Sequence, residues 1–194
     1  PEVTIAVRGS LLLGDGGLSS PGEVREWQSF GEPVILSREL VDRLEAVRFA
    51  DPGRRVLSVE NKETFYALAR RLMNGDAMPF AGLVYAAGHP HPGVIRVLDR
   101  CAEAGAELYH FGDLDPDGLL ILSELAERTG RPVRPFSMDA TVYQRYRQFG
   151  YRLSAAAVAR LRSAMPRLPD SLRSVAELVV ENGIGVEQEV IGID

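Results

Sequence analysis

Apolar and polar positions change rhythm sharply along this chain. From position 56 onward, short apolar runs alternate with longer stretches of helical period. Residues 56–59, 82–87, 107–111 and 132–136 read as strands. Between them the pattern predicts helices over about 62–73, 92–104 and 116–130. The ends of these helices carry the right chemistry. Asn61 stands where an N-cap belongs, with Gly75 near the far end. Pro92 and Pro116 occupy first helical positions, and Gly105 and Gly130 follow the last ones. The order is β-α-β-α-β-α-β within about 80 residues, which predicts a parallel sheet with helices packed on its faces. Residues 138–194 read as mostly helical, over 139–148, 154–164 and 170–181, with Pro166 and Pro169 separating the last two. Residues 1–52 are less regular. They suggest a strand at 3–7, Gly/Ser-rich loops to Gly22, and a helix near 37–49. Asp51-Pro52-Gly53 follows as a turn. The expected fold class is therefore α/β. A lead-in (1–52) precedes an alternating β-α core (53–137) and a basic helical extension (138–194).

Composition narrows the class. The 194 residues are 45% hydrophobic and 25% charged, an ordinary globular profile that excludes disordered, collagenous and coiled-coil chains. No apolar run approaches the roughly 20 residues of a membrane helix. No basic segment leads into an apolar one at the start, so no signal peptide is expected. The first residue is Pro1, as in a trimmed or excised fragment. Cys101 is the only cysteine, which excludes an internal disulfide framework and a cysteine-cluster zinc site. It fits a reducing compartment, and a cytoplasmic location is expected.

The net charge of −5 conceals a strong asymmetry. Residues 1–127 hold 20 acidic and 12 basic groups. Residues 128–173 hold ten arginines against only Asp139 and Asp170. Residues 174–194 hold five acidic groups and no basic one. An acidic protein thus carries one basic block, the footprint expected of contact with nucleic acid. Within it, Arg145, Arg147 and Arg152 interleave with aromatics, and Arg160, Arg162 and Arg167 continue the charge. Phosphate backbones are bound by such arrays without reading of sequence. For the aromatics themselves, core packing is the simpler expectation. Of the 22 basic residues, 21 are arginine and one is lysine, Lys62. Genomic base composition alone can produce such a bias.

In open α/β sheets, ligands bind outside the carboxyl ends of the strands. Glu60 follows the first strand of the core. Asp113, Asp115 and Asp117 follow the third, in Gly112-Asp113-Leu114-Asp115-Pro116-Asp117-Gly118. Each has an ordinary explanation when taken singly. Asp115 before Pro116 suits a helix N-cap, Asp117 suits the first-turn dipole, and Asp113 suits a turn. Together at one sheet edge they repel unless a cation sits among them, which points to Mg²⁺ or Mn²⁺ acting on phosphates. Asp113-x-Asp115-x-Asp117-Gly118 with Glu124 also matches an EF-hand loop in full. Its context is wrong: a strand precedes it, and Leu119-Leu120-Ile121-Leu122-Ser123 reads as a helix core face.

These residues resemble a known family. The strand followed by Glu60-Asn61-Lys62, the Gly88-His89-Pro90 turn and the Asp113–Gly118 motif look like a Toprim domain, and the Asp115-Pro116-Asp117-Gly118 form resembles its topoisomerase VI A-subunit branch. Val59-Glu60-Asn61 with Phe65, Phe111 to Asp115 with Gly118, Ser137-Met138-Asp139 and Val186-Glu187-Gln188-Glu189-Val190 are similar to the C-terminal nuclease region of the JetD family of Wadjet anti-plasmid systems. The resemblance implies that Glu60 is a general acid/base or metal ligand and that Asp113 and Asp115 are the metal pair, with Asp117 as a further ligand. It implies metal-dependent cleavage of DNA, a circular double-stranded plasmid as substrate, SMC-type partner subunits and a homodimer. Glu187 and Glu189 become candidates for support of the site. Topoisomerases of this branch cut with a tyrosine from an upstream domain, which residues 1–52 cannot house, so hydrolysis by water is expected instead.

Lys62 and Arg96 are expected to face the active edge and touch a scissile phosphate, with surface ion pairing as the alternative. His89 and His91 read as loop residues and His110 as a core histidine. Two rival functions stay open: a nucleic-acid-binding module without activity, and a phosphoesterase for small substrates.

Overall fold

The computed structural model describes residues 2–14, 24–50 and 54–192. The fold is α/β, with helices flanking a β-sheet, and it divides into two compact units, Pro1–Leu108 and Tyr109–Asp194.

In the first unit, β1 (Val3–Gly14) is the hub. It pairs antiparallel with β2 (Val24–Leu36), β3 (Leu44–Phe49) and β5 (Gly82–Tyr85). β4 (Arg55–Val59) joins β5 in parallel, with Leu57 opposite Leu83 and Val59 opposite Tyr85. The expected parallel arrangement therefore begins at β4 and β5, while residues before 50 add an antiparallel wing.

That wing departs from expectation in two places. The strand expected at 3–7 continues to Gly14, because Gly9 to Leu13 pair with β3 on one side and β2 on the other. The helix expected over 37–49 is only α1 (Arg38–Asp42), followed by β3. Val41, Leu44 and Val47 are spaced by three, which suits a helix, and all three are buried. Pairing with β1 overrides that local preference. The chain turns at Arg43, whose Nε donates to the Gly14 carbonyl at 2.6 Å. The turn at Asp51-Pro52-Gly53 and the loop at 15–22 lie outside the described residues.

The two longer helices of this unit form as expected. α2 (Lys62–Asn74) starts at Asn61, whose side chain accepts from Thr64 N at 2.9 Å, and ends at left-handed Gly75. It buries Phe65, Leu68, Ala69 and Leu72 and packs on β2 and β5. α3 (Pro92–Glu103) is capped by His91, whose Nδ1 accepts from Gly93 N at 3.1 Å, and packs on β3 and β5. Each large apolar side chain buried this way stabilises by about 1.5–3 kcal/mol. Cys101 is fully buried on α3, and burial pushes its thiol pKa up to about 12.

β6 (Glu107–Phe111) opens in the first unit and ends in the second. There Phe136 N donates to the His110 carbonyl at 2.8 Å, beside β7 (Val133–Pro135). His110 is buried, as its place in a strand suggests. α4 (Pro116–Thr129) packs against β7, α6 (Ala155–Ala164) and α7 (Asp170–Asn182). α5 (Ala140–Tyr146) packs on α7 and is capped by Asp139. Leu119, Leu122, Leu161, Leu172 and Val175 are fully buried. Among these helices runs a short antiparallel ribbon, β8 (Tyr151–Arg152) and β9 (Ile184–Gly185), with Tyr151 opposite Gly185. Among the described residues, no helix is long and apolar enough to cross a membrane.

Candidate metal centre

The carboxylates after β6 are presented by alternation. Leu114 is fully buried and forms a two-way backbone bridge with Val186, at 2.8 and 3.1 Å. Its neighbours Asp113 and Asp115 consequently project away from that apolar anchor. Gly112 N donates to the Met138 sulfur at 3.3 Å, which fixes the strand end. At Gly118 any Cβ would strike the Asp113 carbonyl, so only glycine lets α4 start this close to the loop. The glycine of the EF-hand pattern thus has a packing reason. Glu124 lies within α4 and pairs with Arg128 at 2.9 Å, one turn on, as expected of a helix rather than a calcium loop.

Asp115 is 8% exposed and has both oxygens engaged. Oδ1 accepts from Gly118 N at 2.8 Å, the N-cap bond of α4. Oδ2 accepts from the Tyr151 hydroxyl at 2.6 Å. Asp113 Oδ1 accepts from Gln188 N at 2.7 Å. Burial raises the Asp113 pKa to about 6; the Gln188 bond opposes this, while the charges of Asp115, Glu187 and Glu189 add to it. Burial likewise raises the Tyr151 pKa, helped by the bond to Asp115 and by the negative charges of Asp115, Asp113 and Glu187. Asp117 differs: its Oδ1 is 2.7 Å from Arg160 Nη2, and the pair is about half exposed.

Sequence reasoning missed three partners of these acids. Gln188 is buried; besides holding Asp113, its Nε2 donates to the Phe111 carbonyl at 3.1 Å. It lies between Glu187 and Glu189, which drew attention for their charge and are both exposed. Tyr151 was expected in the core with the other aromatics. Tyr143 does take that place, fully buried with its hydroxyl donating to the Ile184 carbonyl at 3.0 Å. Arg160 was grouped with the basic block but pairs with Asp117.

The donors suit a hard cation. The charges of Asp115, Glu187 and Glu189 bear on Asp113 and are negative, and the donors are carboxylate oxygens. Among the described residues, no three His, Cys, Asp or Glu side chains form a ready-made ligand cage. Mg²⁺ rarely uses one, since it keeps several waters and binds through one or two carboxylates plus substrate phosphate. Asp113 and Asp115 would hold such an ion.

The other expected residues sit as follows. Glu60 is half-buried directly after β4, and Lys62 is exposed at the first position of α2. Arg96 donates from Nε to the Val41 carbonyl at 3.0 Å and from Nη2 to the Asp42 carbonyl at 2.6 Å, so its guanidinium closes the end of α1. Arg145 and Arg152 are exposed on α5 and β8. Arg147 is exposed and donates to Asn182 Oδ1 at 2.8 Å.

The chain is similar to the Wadjet protein JetD of Bacillus cereus (strain Q1), at 24% identity over 186 residues. The match covers 93% of this chain but 43% of that relative, so the chain spans less than half of its length. A family model described as "Protein of unknown function C-terminus (DUF2399)" matches residues 34–192, which include every carboxylate discussed above, and the chain belongs to that family.

Proposed function

We propose that this chain is a Toprim-type, divalent-metal-dependent endodeoxyribonuclease that cleaves circular double-stranded plasmid DNA within an SMC-type anti-plasmid defence system. The observation that carries the proposal is the acidic cluster after β6. Asp113 is largely removed from water, and the charges of Asp115, Glu187 and Glu189 all oppose its ionisation. Such an arrangement is costly without a bound cation and useful with one. The similarity to the Wadjet protein JetD supports a defence role. The Toprim resemblance of Glu60, Asp113 and Asp115 supports phosphodiester hydrolysis.

A bound divalent ion would supply charge neutralisation at the phosphate and acidify a water. Asp113 and Asp115 would hold the ion, and Asp117, paired with Arg160, would be a further ligand. Glu60 transfers the proton or holds a second ion. Arg145, Arg147 and Arg152 bind the phosphate backbone, with Lys62 as a further contact. The JetD resemblance implies SMC-type partners and a homodimer, and the proposal includes both for the longer protein.

The test is plasmid nicking and linearisation with Mg²⁺ and with Mn²⁺, for wild type beside Glu60→Gln and Asp113→Asn. Metal-dependent cutting abolished by both substitutions is the expected result. Plasmid binding without cutting, under either metal and with partner subunits added, would make the chain a binding module instead.

A further inference from the structure

Capping explains only half of Asp115. An N-cap side chain needs one oxygen, and Oδ1 meets that need through Gly118 N. The second oxygen is held by a residue 36 positions away, Tyr151, at 2.6 Å. We infer that Tyr151 is a positioning residue that fixes the Asp115 carboxylate for a divalent cation, a role that rests on the nuclease proposal above.

Several features of the second unit place the phenol there. β8 pairs with β9, which sets Tyr151 opposite Gly185. A Cβ at position 185 would come within 2.9 Å of Tyr151 Cζ and 3.1 Å of Asp115 Cβ. Glycine at 185 therefore leaves the gap that lets the ring reach the acid. The far side of the same ribbon is secured by Leu153 N, which donates to the Gly183 carbonyl at 2.9 Å. Val186, next after the ribbon, is the residue that bridges Leu114 between the two acids. The ribbon thus grips the acidic loop by backbone and by side chain together.

The chemistry follows from counting donors. A phenol has one proton to give, and here it goes to Oδ2. A carboxylate oxygen accepts more than one bond, so Oδ2 keeps a lone pair for a cation. With Oδ1 tied to Gly118 and Oδ2 to Tyr151, the carboxylate plane cannot rotate about its last bond. Orienting partners of metal ligands cost about 10–100-fold in metal affinity or activity when removed.

The experiment is Mn²⁺ titration of the 194-residue chain, followed by paramagnetic resonance of the free ion, with thermal unfolding alongside. Wild type, Tyr151→Phe, Asp115→Asn and the double variant are compared. The expected result is about tenfold or greater weakening in Tyr151→Phe at a near-unchanged melting temperature, and no further loss when it is added to Asp115→Asn. Equal Mn²⁺ affinity in wild type and Tyr151→Phe would overturn the inference and leave the nuclease proposal standing. Equal affinity with cutting abolished would also overturn it, and would mark the hydroxyl as a reacting group. Absence in wild type of any Mn²⁺ site sensitive to Asp115→Asn would overturn the inference and the metal role together.

Discussion

The corner after β4 and the corner after β6 use the same backbone device. Each strand ends, an extended residue caps the next helix, and its side-chain oxygen accepts from the third residue on. Asn61 accepts from Thr64 N at 2.9 Å, and Asp115 accepts from Gly118 N at 2.8 Å. At the first corner the cap is a neutral amide, with Glu60 before it and Glu63 in the first turn of the helix. At the second the cap is charged, 8% exposed, and accompanied by Asp113, Glu187 and Glu189. Both residues are good caps, so helix formation does not explain the choice of Asp over Asn. The difference isolates what capping leaves over: a concentration of negative charge that folding alone would avoid.

The comparison breaks most visibly if Asp113 is neutralised. Asp113→Asn should reduce Mg²⁺-dependent plasmid cutting by about a thousandfold or more, because a metal-held transition state is worth several kcal/mol. Asn61→Ala should leave cutting by folded protein within a few-fold of wild type. Gel assays of initial rate decide both. Next in size is the response to pH. The Asp113 pKa lies near 6 in the fold, above its ordinary 3.8, so the folded state binds the extra proton. Without divalent metal, the related stability is fully present below about pH 4 and lost as pH rises through about 6. Discounted for partial solvent screening, the loss is on the order of 1–2 kcal/mol. Unfolding of wild type should therefore flatten relative to Asp113→Asn over that window, and an unchanged difference would remove the electrostatic contrast between the corners.

The caps themselves should behave alike. Asn61→Ala and Asp115→Ala should each cost about 1 kcal/mol of stability in denaturant titration. A much larger loss at Asp115 would show that the Tyr151 bond also holds the fold. On the DNA side, Arg145→Ala and Arg147→Ala should each lower the log–log salt slope of binding by about 0.9 if each meets one phosphate. Smallest of all is Arg160→Ala. Its exposed pair with Asp117 should be worth only about 0.2–1 kcal/mol.

The second corner was legible in the sequence, but its partners were not. Asp113, Asp115 and Gly118 lie in one continuous motif, and Pro116 announces the helix. Tyr151 reaches Asp115 from the β8–β9 ribbon, 36 residues away, and Gln188 reaches Asp113 from the turn after it, 75 residues away; nothing local predicts so short a ribbon. The helices from α2 to α7 were readable because caps, prolines and glycines punctuate them. Residues 37–49 misled because Val41, Leu44 and Val47 satisfy a helical spacing while β1 supplies the hydrogen bonds that make the last two part of a strand. Arg96 is expected to face the active edge from its helix, with surface ion pairing as the alternative; its guanidinium fork meets two backbone carbonyls.

The location of the single lysine has a practical consequence. Besides the terminal amine, Lys62 offers the only amine on the chain, and it lies exposed at the first position of α2, two residues from Glu60. Cys101 is buried, and its thiol is held protonated at neutral pH. Amine-reactive dyes and thiol-reactive dyes will therefore behave in opposite ways on this protein. A succinimidyl fluorophore would mark Lys62, beside the first corner, along with the terminal amine, whereas a maleimide would mark only molecules that have opened.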